Sequence, residues 1–290
     1  MITVGEIYNN TKLLLKNIST DYSFEAKCIL EKAFDSELPR ILMNRNSEVQ
    51  DNILEDIHNM TEKRKTGYPL QYILGEWEFY GYPFKIGEGV LIPRQDTETL
   101  VDYVLSYLKE SEKIKNPRIM DLCSGSGCIA VSLKKEFPDA EIYALENSDD
   151  ALKYLECNAK LNNANIHIIK ADVLNEKYIE SFCDKKIDII VSNPPYLTKN
   201  DMKNLQKEVS FEPSYALYGG TDDGLYYYRK ITEIWKSVLA PEGIIVYEIG
   251  INQHNDVSEI LKLNNFNNII FSKDTAEIIR VVSGKKQEVF

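Results

Sequence analysis

The 290-residue chain has little of what marks several common protein classes. No apolar run approaches the roughly 18 residues that a membrane span needs. The start, Met1-Ile-Thr-Val-Gly-Glu-Ile-Tyr8, has neither a basic segment nor a continuous apolar stretch, so no secretory signal is expected. Five cysteines (Cys28, Cys123, Cys128, Cys157 and Cys183) are too scattered for a disulfide framework or a Cys-x-x-Cys metal knuckle, and a reducing cytoplasm suits them best. Of only three histidines, His58 has no other near it in sequence and reads as a surface or half-buried residue, not a ligand. There is no internal repeat and no low-complexity segment. A basic excess is missing too. The net charge is −11, and residues 76–290 carry most of it, with 25 Lys+Arg against 34 Asp+Glu. A nucleic-acid enzyme usually presents a basic footprint, so the balance argues against a nucleic-acid substrate without excluding a local basic groove.

What is present suits a globular protein of two domains: 43% hydrophobic and 27% charged residues over a length that exceeds one typical core. Residues 2–65 read as helices. Val4, Ile7, Leu14 and Ile18 lie near one face of a first helix, and Phe24, Cys28 and Leu30 begin a second pattern. Ser47 is a candidate cap for a third helix carrying Val49, Ile53, Ile57 and Met60. That helix ends in Lys63-Arg64-Lys65, which suits the negative end of the helix dipole and reads as a solvated end, with a partner-docking patch as the alternative. Trp77 and Phe79, then Phe84 and Ile86, alternate around Gly81-Tyr82-Pro83, the pattern of a hairpin bridging two domains. A helix follows from near Thr97, with Asp96 as its expected cap.

From residue 118 the pattern alternates between strands and helices. Strands are expected at 119–123, 141–146, 166–170, 187–192, 243–249, 269–272 and 278–283, with helices near 129–135, 150–161, 225–239 and 257–263. The fold class is therefore α/β, a doubly wound, Rossmann-like sheet. The first strand runs into Asp121-Leu122-Cys123-Ser124-Gly125-Ser126-Gly127, whose glycines let a backbone approach a ligand without a Cβ in the way. Glu146 ends the second strand, 19 residues past Gly127, where a carboxylate can accept both ribose hydroxyls of an adenosine-containing cofactor. The same glycines satisfy a looser dinucleotide fingerprint, so a nicotinamide enzyme is a rival. Asp121 tips the choice toward S-adenosylmethionine, because a carboxylate at that strand end suits an ammonium group and repels a pyrophosphate. Asp172 follows the third strand; it either bonds an adenine amino group, with Val173 against the ring, or caps the next segment.

The fourth strand ends in Asn193-Pro194-Pro195-Tyr196. Proline cannot donate to a strand ladder, so the strand stops at Ser192 or Asn193, and each proline restricts the residue before it. The product is a stiff turn holding an amide, two carbonyls and a ring at a strand's carboxyl end, where open α/β sheets bind ligands.

With these segments in view, the chain resembles the release factor glutamine methyltransferase family, also called HemK or PrmC. The likeness runs through residues 67–75 (Gly-Tyr-Pro-Leu-Gln-Tyr-Ile-Leu-Gly), the aromatic hairpin and residues 91–98 (Leu-Ile-Pro-Arg-Gln-Asp-Thr-Glu). It continues through the glycine loop, Asn193–Tyr196, and Phe211-Glu212-Pro213 with Ala216-Leu217 beyond. The resemblance implies a seven-stranded S-adenosylmethionine-dependent methyltransferase sheet (93–290), a helical substrate-recognition domain (1–74) and a hairpin linker (75–92). It implies S-adenosyl-L-methionine along residues 123–127, at Glu146 and near Val173. It also implies a substrate glutamine, from the Gly-Gly-Gln loop of peptide chain release factors, at Asn193, Pro194, Pro195 and Tyr196. Arg94 is expected either to close the site or contact the protein substrate, or else to form a structural ion pair. Cys123 departs from the family's common glycine, Glu146 from its Asp and Val173 from an aromatic, and 274–280 lacks a frequent glycine. Methylation of a ribosomal-protein glutamine, methylation of adenine in nucleic acid and non-catalytic cofactor binding are the remaining rivals.

Overall fold

A computed structural model describes residues 1–111, 115–182 and 186–287, which leaves Cys183 outside the described residues. The chain divides into two compact units: Met1–Glu76 together with Gln206–Phe211, and Trp77–Leu205 together with Glu212–Phe290.

The first unit holds α1 (Val4–Leu15), α2 (Tyr22–Phe34), α3 (Leu38–Met43), α4 (Asp51–Lys65) and α5 (Leu70–Leu74). A reciprocal capping box between Thr3 and Glu6 starts α1. Its buried face is Val4, Thr11 and Leu15, a 7- and 4-residue spacing. Leu14 sits one position off that face and is exposed, and Ile18 lies beyond the helix end. The expected face was therefore rotated by one residue. Ser47 does not cap α4, which begins four residues later behind Gln50; the Ser47 carbonyl instead accepts from the Val4 N–H. The basic end of α4 is not uniformly solvated. Arg64 is buried, its Nε and Nη2 donating to the two Glu25 oxygens at 2.7 and 2.9 Å while Nη2 also pairs with Glu208. Lys63 lies 4.0 Å over the Tyr68 ring, and His58 is exposed. Two charges facing one buried guanidinium tie α2, α4 and the 206–211 segment together, and removing a partner from such a group is strongly destabilising.

The second unit opens with β1 (Glu76–Phe79) and β2 (Tyr82–Lys85), joined by Tyr80 and Gly81 at φ +53° and +75°. Two consecutive positive φ values give the tight hairpin turn that matches strand twist. After α6 (Glu98–Glu110) come β3 (Arg118–Leu122), α7 (Cys128–Glu136), β4 (Glu141–Glu146), α8 (Asp149–Leu161), β5 (His167–Lys170) and β6 (Ile187–Ser192). Then follow α9 (Lys199–Lys203), α10 (Tyr226–Trp235), β7 (Leu239–Glu248), α11 (His254–Leu263), β8 (Phe266–Lys273) and β9 (Ile279–Lys286). The seven expected strands all form, in the order β5-β4-β3-β6-β7-β9-β8, with β9 antiparallel to both neighbours. Asp96 does not cap α6; a short 3-10 turn, Gln95–Thr97, precedes that helix, and Asp96 pairs with Arg280 at 2.6 Å.

Met120 and Leu122 of β3, with Tyr143 and Leu145 of β4, face a core shared with Tyr228, Ile231 and Trp235 of α10 and Val257 and Leu261 of α11. On the other side α6, α7 and α8 pack in succession. From β3 the chain steps outward to β4 and β5, then returns to β6 on the opposite flank. Strand order reverses there, and in such sheets a crevice opens at the carboxyl ends of the strands.

Candidate active site

Register decides which residues meet at that crevice. Leu122 pairs with Leu145 on one side and Ser192 on the other, and Ser192 pairs in turn with Tyr247. One residue further along these strands stand Cys123, Glu146, Asn193 and Glu248. Four separate stretches of sequence thus arrive side by side.

A cavity of about 320 Å³ lies over these ends, within the range of small-molecule sites. Cys123, Ser124, Gly125, Ser126, Glu146, Asp172, Val173, Asn193, Pro195 and Arg94 line it, joined by the 89–93 segment, Thr97, Leu145, Asn147, Ser148, Tyr215 and Tyr227. Four of the expected residues lie outside the lining. Gly127 starts α7 at φ +81°, where a Cβ would stand 2.3 Å from Leu155, so it permits helix packing below the loop. Asp121 lies fully buried with neither carboxylate oxygen hydrogen-bonded among the described residues, and burial pushes it up to about 7. Pro194 is buried. Tyr196 packs away from the cavity, with its carbonyl accepting from Gln253 Nε2 at 3.2 Å.

The glycine loop is built to present backbone. Gly125, at φ +55°, has nothing within 4 Å of where a Cβ would stand. Cys123 takes φ +64°, a left-handed conformation in which glycine is the default. Glu146 holds the loop from across the sheet: Oε2 accepts from Gly125 N–H at 2.8 Å, and Oε1 from the Asn147 and Ser148 N–H groups, both at 2.8 Å. Three donors leave room for one further hydrogen bond on a carboxylate. Beyond it Leu145, Ala171 and Val173 make an apolar wall. Asp172 accepts from the Leu174 N–H at 2.9 Å, a local turn, while also lining the cavity, so both of its readings have a geometric counterpart. These features suit an adenosine group: an apolar slot, a strand-end carboxylate and an open glycine backbone. S-adenosylmethionine fits them.

On the opposite side Asn193 Nδ2 donates to Thr97 Oγ1 at 3.4 Å. Arg94 pairs with the buried Glu212, whose other oxygen accepts from the Ile92 N–H at 3.0 Å. The ion pair therefore joins the 91–98 segment to Glu212 at the cavity, and Arg94 keeps one face on the lining. Tyr215 bridges the mouth, its hydroxyl lying 2.8 Å from Ser148 Oγ and 2.7 Å from the Gly89 carbonyl.

Glu248, Thr97, Glu212, Tyr215 and Tyr227 were not singled out as site residues from sequence. Glu248 had a signal: like Glu146, it is a carboxylate at the end of an apolar strand. It is 2% exposed, and burial pushes it up to about 7.

Two family models match, the PrmC N-terminal domain over residues 6–75 and the methyltransferase small domain over residues 98–212. The release factor glutamine methyltransferase of Clostridium acetobutylicum is 37% identical over 273 residues, covering 93% of each chain. The chain belongs to the release factor glutamine methyltransferase family. The enzyme of that name from Thermodesulfovibrio yellowstonii is 40% identical over 85% of this chain and 87% of its own. Among solved structures, the hMettl16 catalytic domain in complex with an RNA hairpin superposes at TM-score 0.54 with 14% identity, over 84% of this chain and 87% of its own. The Thermus thermophilus 16S rRNA N2 G1207 methyltransferase, solved with AdoMet and guanosine, superposes at 0.51 with 17% identity, over 73% of this chain and 50% of its own. These two share the fold, a methyltransferase sheet. Relatives and fold agree that this family member is a methyltransferase. No helix among the described residues is long and apolar enough to cross a membrane.

Proposed function

We propose that this chain methylates the side-chain amide nitrogen of the glutamine in the Gly-Gly-Gln loop of peptide chain release factors, using S-adenosyl-L-methionine, in the cytoplasm where translation runs. The observation that carries the reading is Asn193, held at the cavity wall by strand register beside the glycine loop. When bound, S-adenosylmethionine supplies a methyl group made electrophilic by its sulfonium. Glu146, the 123–126 loop and Val173 hold it, with Asp172 at its edge. Asp121 stays buried beneath the loop, outside the cavity lining.

An amide nitrogen is a poor nucleophile because its lone pair is delocalised into the carbonyl. Asn193 Oδ1, on the cavity wall, accepts one of its hydrogens. As the nitrogen gains the methyl group and the cofactor's sulfur–methyl bond breaks, positive charge grows there, and this acceptor binds the charge more tightly than the ground state. Pro195 stiffens the turn that aims it. Pro194 and Tyr196 support that turn from outside the cavity, and the Tyr196 hydroxyl stays protonated because burial raises its pKa. The nitrogen then sheds one proton to solvent. Arg94, exposed on one side and fixed by Glu212 on the other, contacts the incoming loop.

The test is methyl transfer from labelled S-adenosylmethionine to a purified bacterial release factor, with a Gln→Ala change in its Gly-Gly-Gln loop as control. Label on the wild-type factor alone is expected. Label on both factors, or on neither, overturns the reading.

A further inference from the structure

Glu248 stands behind Asn193, outside the cavity lining. One of its oxygens, Oε2, has no hydrogen-bond partner among the described residues. A buried polar atom left unpaired costs about 1–3 kcal/mol, more when charged, and an exception of that kind calls for an explanation. A structural ion pair does not supply one. Arg280 is a cationic influence on Glu248, yet it pairs with Asp96 at 2.6 Å and Asp274 at 3.0 Å.

The explanation lies in the amide next door. A side-chain amide turned over by 180° keeps its shape and exchanges its acceptor for its donor. Only one orientation of Asn193 presents Oδ1 to a substrate NH₂. Thr97 cannot choose between them, since a hydroxyl donates as readily as it accepts. An ionised carboxylate only accepts. It attracts the Asn193 NH₂ and repels Oδ1. Strand register sets Glu248 beside Asn193, one residue past the Ser192–Tyr247 pair, and both Thr97 and Asn193 favour its charged form.

We propose that Glu248 is a positioning residue that locks the Asn193 amide with Nδ2 to the rear and Oδ1 in the cavity, and that its negative charge reinforces the acceptor as cationic character grows on the substrate nitrogen. The lock deepens the proposed glutamine methylation and rests on it. Other groups facing Glu248 are Arg280 from β9, Asp96 from the turn before α6, Tyr196 from the β6 loop, Tyr228 from α10 and Cys128 from α7. Of these groups Glu248 alone is placed by burial near neutral pH; Asp121 on β3, also pushed up to about 7, is told apart by the comparison with Glu248→Gln.

The test has two arms. In the first, the full chain labelled with ¹⁵N-asparagine is followed by NMR from pH 5 to 9 with S-adenosylhomocysteine present, the Asn193 NH₂ signal being assigned by its loss in Asn193→Ser. Those protons are expected to titrate about pH 7 in the wild type and to stop doing so in Glu248→Gln. An Asn193 signal that does not move in the wild type overturns the lock, and that reading needs no Glu248 variant to fold. In the second, Glu248→Gln is expected to lower kcat on the release factor by about 100-fold while cofactor Kd and substrate KM change by less than about 3-fold. Retention of kcat within about 3-fold also overturns it. An unmodified release factor with wild-type enzyme would refute the functional reading, and the NMR arm would still decide the lock.

Discussion

Two carboxylates end strands β4 and β7 of the same sheet, with β3 and β6 between them, and are held in opposite ways. Glu146, at the cofactor side, accepts three backbone N–H groups. Glu248, at the Asn193 side, faces side chains and leaves one oxygen unpaired. Backbone donors are placed by the fold and cannot rotate away, so Glu146 serves as a rigid brace for a loop that binds. Side-chain donors respond to charge and to one another, so the Glu248 side can couple to a reaction that creates charge. On the proposed reading, the site is rigid where it binds and polarisable where it reacts.

That contrast can be broken most sharply at Asn193. Asn193→Ala is expected to reduce methyl transfer by at least about 1,000-fold while cofactor Kd, measured by calorimetry, stays within about 3-fold. Loss of cofactor binding in proportion would merge the two sides and remove the distinction. The complementary change, Glu146→Ala, orphans three backbone donors and is expected to weaken cofactor binding by about 100-fold and lower stability by about 2 kcal/mol. A normal Kd in that variant would show that the brace holds nothing needed for binding.

The smallest effect is a pH slope. Burial pushes Glu248 up to about 7 in the fold, above its ordinary value of 4.5. The fold thus prefers its neutral form. Stability from this group is fully present below about pH 4.5 and is lost as the pH rises through 7. Denaturant midpoints measured at intervals from pH 4.5 to 7 are expected to fall more steeply for the wild type than for Glu248→Gln. The difference reaches at most about 1.4 kcal/mol per pH unit. Parallel slopes would mean that Glu248 ionises as freely in the fold as out of it.

Much of the second unit was legible before the structure. The 141–146 and 187–192 strands have the limits that their apolar runs and flanking polar residues suggested. A fully buried parallel strand must be apolar throughout, and proline ends it without ambiguity. The glycine loop was legible at Gly125, where positive φ and open space suit glycine, but not at Cys123, which takes the same left-handed backbone with a side chain. The helical unit was harder. Thr11, not a larger apolar residue, fills part of the α1 face, its hydroxyl returning to the Ile7 carbonyl at 2.9 Å. Arg64 reads as solvated because its partners are 39 residues upstream and 144 downstream. Asp96 has the composition of a cap and spends its charge on Arg280, 184 positions away in the chain.

By itself the sequence determined the alternation of strands and helices, the stiff Asn193–Tyr196 turn, the exposed backbone at Gly125 and a carboxylate ending each of two strands. These follow from local sterics and from periodicity, which act over a few residues. Which carboxylate meets the glycine loop and which stands behind Asn193 was decided only by tertiary structure. The decision belongs to strand order and register: β3 sits between β4 and β6, and β6 between β3 and β7. Hydrogen-bonded pairing across the sheet, not proximity along the chain, puts Glu146 on the cavity wall and Glu248 behind Asn193.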